Sequence, residues 1–136
     1  MVPAPLSLRL DGFTLPVADV GRSVAFYRDV LGFAVEQHHG NAFALLRLGE
    51  VTLGLLPESA RPDSPKKFAP EQRRTIELEF TTDDLDSVYE TLRARGVVFR
   101  GPPTDKPWER SAQAVDPDGY TIEFAQGKRG HNAPQT

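Results

Sequence analysis

The chain has 136 residues, of which 39% are hydrophobic and 26% are charged, as in an ordinary globular protein. Its formal net charge of −3 argues against a protein that holds nucleic acid by bulk electrostatic attraction. The absence of cysteine excludes disulfides, thiolate-bound zinc and a cysteine nucleophile. The first residues do not resemble a signal peptide and no apolar run approaches bilayer length, so we expect a soluble, cytoplasmic protein without a membrane partner.

Apolar residues in the first half of the chain predict one strand, one helix and three further strands. Phe13, Leu15 and Val17 alternate, so they should share one face of a strand and pack toward a helix. Asp19 fits the N-cap of a helix at residues 20–31, whose apolar stripe repeats at spacings of three and four. Short apolar segments then predict strands at residues 33–35, 43–48 and 51–56.

The second half repeats the same order of elements. An alternating strand is predicted at residues 75–81, and Asp83 or Asp84 fits the N-cap of a helix at residues 85–95. Further strands are predicted at residues 97–100, 111–115 and 120–125. The repeat, with a period of roughly 65 residues, indicates a duplicated unit of strand, helix and three strands, written βαβββ.

The predicted organisation is one α+β domain over residues 1–136. Module one covers about 8–56 and module two about 75–126. The connector at 57–74 is rich in proline and charge, which is typical of an exposed linker or flap. The polar tail at 127–136 is expected to fray.

A turn and strand near the end of module two give the strongest local signal. Residues 116–119 read Asp-Pro-Asp-Gly, which predicts a tight turn. In the strand that follows, Tyr120, Ile122 and Phe124 share one face, and Glu123 lies on the other with Thr121. If the apolar face packs on a helix, Glu123 points to whatever the other face of the sheet encloses.

The two modules together resemble the vicinal oxygen chelate superfamily, which includes glyoxalases, bleomycin-resistance proteins and extradiol dioxygenases. The matching residues are Asp19, Arg22, Ser23, Phe26, Tyr27, Val30, Leu31, Gly32 and Phe33 in module one, and Asp83, Asp84, Leu85, Arg95, Gly96, Val97, Pro107, Trp108, Asp116, Pro117, Asp118 and Gly119 in module two. The resemblance implies paired βαβββ modules with curved sheets around a cleft, and a homodimer. It does not decide function, because this scaffold carries several chemistries.

Metal-dependent members of that superfamily carry ligands on the first and last strands of each module. The resemblance places Gly12 and Glu77 at the first-strand positions, and Gly54 or its neighbour Leu53, with Glu123, at the last-strand positions. Two carboxylates alone suit a weak, hard cation at most. We therefore expect no metal site and no cofactor.

Histidine does not alter this expectation. His38 and His39 are adjacent, so on a regular strand they point to opposite faces and cannot share one ion. His131 falls in the tail. Catalytic zinc and iron usually need imidazole or thiolate ligands, three or more from the protein.

Aromatic residues supply the other candidates for ligand contact. Trp108 is predicted either as a platform for a flat ligand, with Arg110 placed over it in a cation–π contact, or as an anchor for its loop. Phe43 could face the cleft, although a core position is favoured because Leu45 shares its parity. Phe68, in the connector, is predicted to close over a ligand or to pin the loop.

The favoured function is metal-free, non-catalytic binding of a small aromatic or antibiotic-like molecule, as in drug sequestration and antibiotic resistance. Glu77, Glu79 and Glu123 would make the cleft acidic and favour a cationic ligand. The alternatives are a glyoxalase-like lyase, isomerase or dioxygenase that uses Glu77 and Glu123 with or without a divalent metal, and a regulatory module with a vestigial cleft. The candidate ligand-binding set is Glu77, Glu123, Trp108, Phe43, Arg110 and Gln113.

Overall fold

A computed structural model describes residues 6–60 and 69–127 of the chain. Module one begins with strand β1 (Gly12–Val17) and helix α1 (Val20–Ala25), and the helix continues as a π-helical segment, Phe26–Val30. Asp19 caps α1 as predicted, accepting a hydrogen bond from the main-chain N–H of Arg22 at 3.0 Å. Three strands complete the module: β2 (Ala34–His39), β3 (Phe43–Leu48) and β4 (Val51–Pro57).

Module two repeats this order with one additional strand. A 3₁₀ turn (Glu58–Ala60) and helix α2 (Pro70–Arg74) belong to the connector between the modules. Module two then begins with strand β5 (Glu77–Thr81) and helix α3 (Leu85–Ala94). Its remaining strands are β6 (Val98–Phe99), β7 (Thr104–Asp105), β8 (Glu109–Val115) and β9 (Thr121–Gly127).

Each module forms its own sheet, and the two sheets have the same topology. In the first sheet the strand order is β1-β4-β3-β2, and in the second it is β5-β9-β8-β6, with β7 also paired to β8. The first strand of each module runs parallel to the last, and all other pairs are antiparallel. The predicted α+β fold of two βαβββ modules is confirmed.

Some elements differ from the predictions. Residues 20–31 were expected to form one regular helix, but the N–H of Leu31 bonds to the carbonyl of Phe26 at 3.3 Å, which widens the last turn. Helix α2 lies inside the predicted linker, where Pro70 occupies the first helical turn that tolerates proline. The predicted flap residue Phe68 and the tail residue His131 lie outside the described residues.

The modules join on the helix sides of their sheets. Leu15, Val17 and Leu55 of module one are in one buried cluster with Leu78 and Tyr120 of module two. A second cluster lies between helix α3 and its own sheet, and three partly buried residues pack against both clusters: Phe26, Leu31 and Phe80. Because the shared core occupies the helix sides, each sheet leaves its other face open, and we call these the open faces.

The predicted Asp-Pro-Asp-Gly turn is present and ties the modules together. Asp118 is fully buried and accepts hydrogen bonds from the main-chain N–H of Ala18 at 2.9 Å, from Ser23 Oγ at 3.1 Å and from Arg22 Nη2 at 3.2 Å. Gly119 completes the turn at φ 93°, a conformation that glycine adopts without steric cost. Module two is therefore fixed to the start of helix α1 through one carboxylate.

Asp116 makes a second set of contacts at the same turn. One oxygen accepts the main-chain N–H groups of Asp118 and Tyr120, both at 2.9 Å, and the other accepts the hydroxyl of Tyr27 at 2.8 Å. Burial raises the pKa of Asp116, and these hydrogen bonds oppose that rise.

No helix in the described ranges is long and apolar enough to cross a bilayer.

Candidate functional site

Alternation along strand β5 brings its glutamates to the open face of the second sheet. Leu78 is buried in the core, so Glu77 and Glu79 point the other way and are exposed. Strand β9 follows the same rule, because Ile122 and Phe124 are buried and Glu123 lies opposite them. The predicted side-chain parity of these two strands is correct.

Three carboxylates gather on this open face. Glu79 pairs with Glu123 across the β5–β9 ladder, and the side-chain oxygens of Glu77, Glu79 and Glu123 lie within 4.8 Å of one another. Gln113 of strand β8 pairs with Glu123 and donates from Nε2 to Glu123 Oε2 at 3.3 Å and to Glu77 Oε1 at 3.4 Å. Of the candidate ligand-binding set, the structure thus brings together Glu77, Glu123 and Gln113.

The proximity of these carboxylates affects the protonation of Glu77. Its pKa is raised, first by partial burial of the carboxyl group and then by repulsion from Glu123 and Glu79, while Lys106 lowers it. Glu77 therefore stabilises the fold below the ordinary glutamate pKa of 4.5, and this contribution is lost as the pH rises through the raised value. A cation above the cluster would favour the ionised form.

The donor set does not fit the borderline metals that need imidazole or thiolate. It consists of three carboxylates, which suit a hard, weakly bound cation at most. The module-one positions offer no ligand atom, since both Gly12 and Gly54 lack a side chain. Of the two alternatives at the last strand, Gly54 is the one on the open face, because Leu53 is buried in the core.

Those two glycines are also covered by their neighbours. A Cβ atom added at Gly12 would lie 1.8 Å from the carbonyl oxygen of Thr52, and one added at Gly54 would lie 2.7 Å from Thr14 Oγ1. The first contact is with main chain and leaves no room for any side chain at Gly12 without moving strand β1. A side chain at Gly12 therefore cannot complete a ligand set in the present backbone, whereas one at Gly54 would first have to displace the side chain of Thr14.

Trp108 lies at the tip of the hairpin between β7 and β8, where Lys106 and Glu109 form the closing pair. It is 50% exposed, which leaves much of its ring accessible to a ligand. Gln113 is five residues after Trp108, so at about 3.3 Å per residue their main-chain positions are at most roughly 17 Å apart.

Arg110 is not on the open face. Its guanidinium donates to Asp86 of helix α3 and to Asp105 of strand β7, both at 2.9 Å, and the alternate residue Ala112 is buried against the same helix. The expected placement of Arg110 over Trp108 is thus wrong, because two carboxylates hold the guanidinium on the helix side. A strand prediction that began at residue 111 could not assign this orientation.

Phe43 is on the open face of the other sheet. Ala44 and Leu46 are fully buried, whereas Phe43 and Leu45 are only partly buried and point away from the core. The favoured core position for Phe43 is therefore wrong, and its ring stacks instead on His39, with centroids 6.4 Å apart. It contributes an aromatic surface to module one, separate from the carboxylates.

Two basic residues that the sequence did not single out lie beside the carboxylates. Arg100 follows strand β6, and Lys106 follows β7, and both line a cavity of about 280 Å³ with Thr104, Ser111 and Gln113. Ser111 and Gln113 are two residues apart on strand β8, so side-chain alternation would have indicated that they share one face of the sheet. The position of Lys106 could not be inferred, since β7 was not predicted, whereas Arg100 ends the strand predicted at residues 97–100.

A second cavity, of about 330 Å³, lies between the modules. Its apolar walls come from module one and from strand β5, and they include Phe13, Phe33, Leu53, Leu78 and Phe80. Phe13 was expected to be buried with Leu15, but 44% of it is exposed, and it lines this cavity. Glu77 and Glu79 reach the rim of this cavity, whereas Glu123 and Trp108 do not line it.

These features define a class of protein: two βαβββ modules that keep chemistry-bearing side chains on the open faces of their sheets. Residues 9–124 match the Glyoxalase/Bleomycin resistance protein/Dioxygenase superfamily, and the chain belongs to that superfamily. The resemblance inferred from the sequence is confirmed.

Particular relatives include both drug-resistance proteins and antibiotic binders. The "Bleomycin resistance protein" of Geobacillus stearothermophilus is 30% identical over 122 residues, which cover 82% of this chain and 92% of the relative. Among solved structures, a glyoxalase/bleomycin resistance protein/dioxygenase from Nocardioides superposes with a TM-score of 0.80 at 26% identity, covering 100% of this chain and 92% of the other. The structure of TnmS3, an antibiotic binding protein from Streptomyces sp. CB03234, superposes with a TM-score of 0.72 at 25% identity. The match covers 91% of this chain and 100% of TnmS3.

Proposed function

We propose that this protein binds an aromatic or antibiotic-like molecule without metal and without transforming it, and that binding sequesters the drug. The observation that carries the proposal is the group of three carboxylates within 4.8 Å on an open sheet face. Such a face attracts an amine-bearing ligand, and the half-exposed ring of Trp108 gives that ligand a stacking surface. The names of the relatives from Geobacillus and Streptomyces support the same class of ligand.

The separation of Trp108 from the carboxylates favours a large ligand over a small aromatic one. Trp108 and Gln113 are five residues apart, so a molecule that contacts both regions bridges a main-chain separation of up to roughly 17 Å. An extended antibiotic with an aromatic end and a cationic end meets this requirement. Arg110 and Phe43 play no part in this binding mode, since one lies on the helix side and the other on the open face of the first sheet.

Bleomycin binding tests this proposal. Trp108 is the sole tryptophan, so its fluorescence is expected to change as metal-free bleomycin is added. By calorimetry, Trp108→Ala should weaken binding about tenfold, because one stacking contact of about 1.4 kcal/mol is lost. Glu77→Gln should weaken the binding of cationic ligands more than the binding of neutral ones.

A matched variant controls for the change of charge. Glu90→Gln removes one exposed carboxylate from helix α3 and should leave bleomycin affinity unchanged. If Trp108→Ala and Glu77→Gln bind bleomycin as tightly as the parent protein, the ligand does not occupy this face. Failure of the parent protein to bind bleomycin or any other cationic antibiotic would contradict the proposed class of ligand.

Metal analysis tests the second part of the proposal. Protein purified without added metal is expected to contain far less than one equivalent of zinc, iron, nickel or manganese, because the donor set lacks imidazole and thiolate. Elemental analysis by mass spectrometry measures this directly. Stoichiometric metal that disappears in Glu123→Gln would contradict metal-free binding.

The raised pKa of Glu77 supports one alternative function. A glyoxalase-like lyase, isomerase or dioxygenase could use Glu77 and Glu123 for proton transfer, with or without a divalent metal. Turnover of a carbonyl or catechol substrate, lost in both Glu77→Gln and Glu123→Gln, would favour this enzyme over the binding protein. We retain binding as the first proposal because it requires only the surface described above.

We also infer that the protein forms a homodimer in the cytoplasm. Each open face exposes partly apolar surface, including Phe43 and Leu45 on the first sheet, and a second copy can cover it. Light scattering should give about twice the chain mass of 15.0 kDa at micromolar concentration. A mass near 15.0 kDa under those conditions would contradict the dimer.

A further inference from the structure

The cavity of about 280 Å³ beside the carboxylates is lined by positively charged side chains, whereas the carboxylates are negative. Arg100 and Lys106 bring two positive charges to it, and Thr104 and Ser111 bring two hydroxyl groups. Thr104 pairs with Ser111 across the β7–β8 ladder, so these residues share the open face with Gln113. One sheet face therefore carries an acidic region and a basic cavity side by side.

Arg100 is held in place by neutral partners. Its Nη1 donates to Gln113 Oε1 at 3.2 Å and its Nη2 donates to Thr121 Oγ1 at 2.9 Å, while its main-chain N–H bonds to the carbonyl of Gln113 at 2.8 Å. These contacts fix the guanidinium without neutralising its charge. A fixed guanidinium loses little conformational freedom when it binds an anion.

Gln113 connects the two regions and sets the distance between them. Its amide nitrogen faces Glu77 and Glu123, and its amide oxygen faces Arg100. The acidic and basic groups are therefore separated by two hydrogen bonds and one amide group. A ligand that carries both a positive and a negative charge can therefore engage both regions at once.

We propose that the ligand of this face is dipolar, with an ammonium or similar cation over Glu77, Glu79 and Glu123 and a carboxylate or similar anion in the cavity at Arg100 and Lys106. This inference rests on the proposed function, because it concerns the same face, and it adds the anionic group. Charge-assisted hydrogen bonds at both ends give orientation as well as affinity.

Three matched probes test the proposal: 4-(aminomethyl)benzoate, benzylamine and benzoate. The first carries both charges on one ring, and the others carry one each. At pH 7 and low salt, NMR titration of the full chain should show the dipolar probe binding about tenfold or more tighter than either single-charge probe, because it makes charge-assisted contacts at both ends.

Two variants separate the two ends of the probe. Arg100→Gln should bring the dipolar probe to the affinity of benzylamine and leave benzylamine itself unchanged or improved. Glu123→Gln should bring it toward the affinity of benzoate. Lys106→Gln should also lower the affinity for the dipolar probe. It replaces Arg100→Gln as the test if loss of the Arg100 hydrogen bonds disturbs the fold.

A control removes the same charge elsewhere. Arg28→Gln changes an exposed arginine that pairs with its neighbour Asp29, and the preference for the dipolar probe should persist. Equal affinity for benzylamine and the dipolar probe, or a preference that survives both Arg100→Gln and Lys106→Gln, overturns the inference. If the dipolar probe shows no such preference but bleomycin still binds in a Glu77-dependent manner, the proposed drug binding is kept and the dipolar ligand is rejected. If neither the probes nor bleomycin bind, both the proposed function and the dipolar ligand are rejected.

Discussion

Replacement of Asp118 by alanine is expected to lower the free energy of unfolding by about 3–5 kcal/mol, because it breaks a buried charged network. The carboxylate is fully buried and accepts three hydrogen bonds from module one, from Ala18 N–H, Ser23 Oγ and Arg22 Nη2. Alanine leaves the buried N–H and hydroxyl groups without their acceptor. Urea denaturation followed by circular dichroism measures the change.

The neighbouring helix cap offers a matched control. Asp19→Ala also removes a carboxylate from the start of helix α1, but that hydrogen bond to Arg22 N–H is exposed. It should cost only about 1 kcal/mol, the usual value for an N-cap. A loss for Asp118→Ala no larger than that for Asp19→Ala would mean that the turn does not hold the modules together.

Gly12→Ala is expected to lower the free energy of unfolding by about 1–3 kcal/mol, because overpacking against main chain forces the backbone to shift. The new methyl group would meet the Thr52 carbonyl oxygen at 1.8 Å, so the end of strand β1 must move away from β4. Thermal unfolding compared with the parent protein measures the change. A histidine at this position meets the same obstacle, so Gly12→His should lose stability without gaining zinc.

Gly101→Ala is the control for Gly12→Ala. No atom lies within 4 Å of the position its Cβ would take, so the substitution should change stability by no more than about 0.5 kcal/mol, as at other surface sites. Similar losses at Gly12 and Gly101 would show that the close contact at Thr52 relaxes without cost. That result would reopen module one to an engineered metal ligand.

Much of the fold could be predicted because the pattern was repeated. Alternation in β5 and β9 gave the correct face to Leu78, Ile122 and Glu123, and the Asp-Pro-Asp-Gly turn was correctly located. These segments mix apolar and charged residues, so only one parity buries the apolar side. The family resemblance placed Glu77 and Glu123 on the first and last strands of module two, and the structure pairs those two strands.

Strand β3 shows where alternation gives no answer. Its residues Phe43, Ala44, Leu45 and Leu46 are all apolar, so both parities satisfy the pattern. The structure buries the smaller Ala44 with Leu46, and the choice depends on packing against helix α1 that the sequence pattern does not contain. The orientation of Arg110 was missed for a related reason, because its partner Asp86 lies 24 residues away and its partner Asp105 belongs to strand β7, which was not predicted.

The way in which the modules are joined leaves the open faces free to vary in sequence. The contacts that hold them together, from the Asp118 turn to the shared core around Phe26 and Phe80, are on the helix sides. Substitutions at Glu77, Glu123 or Arg100 touch none of these contacts. The side chains of the open faces can therefore vary by mutation while the scaffold persists, which agrees with the several chemistries that this architecture carries.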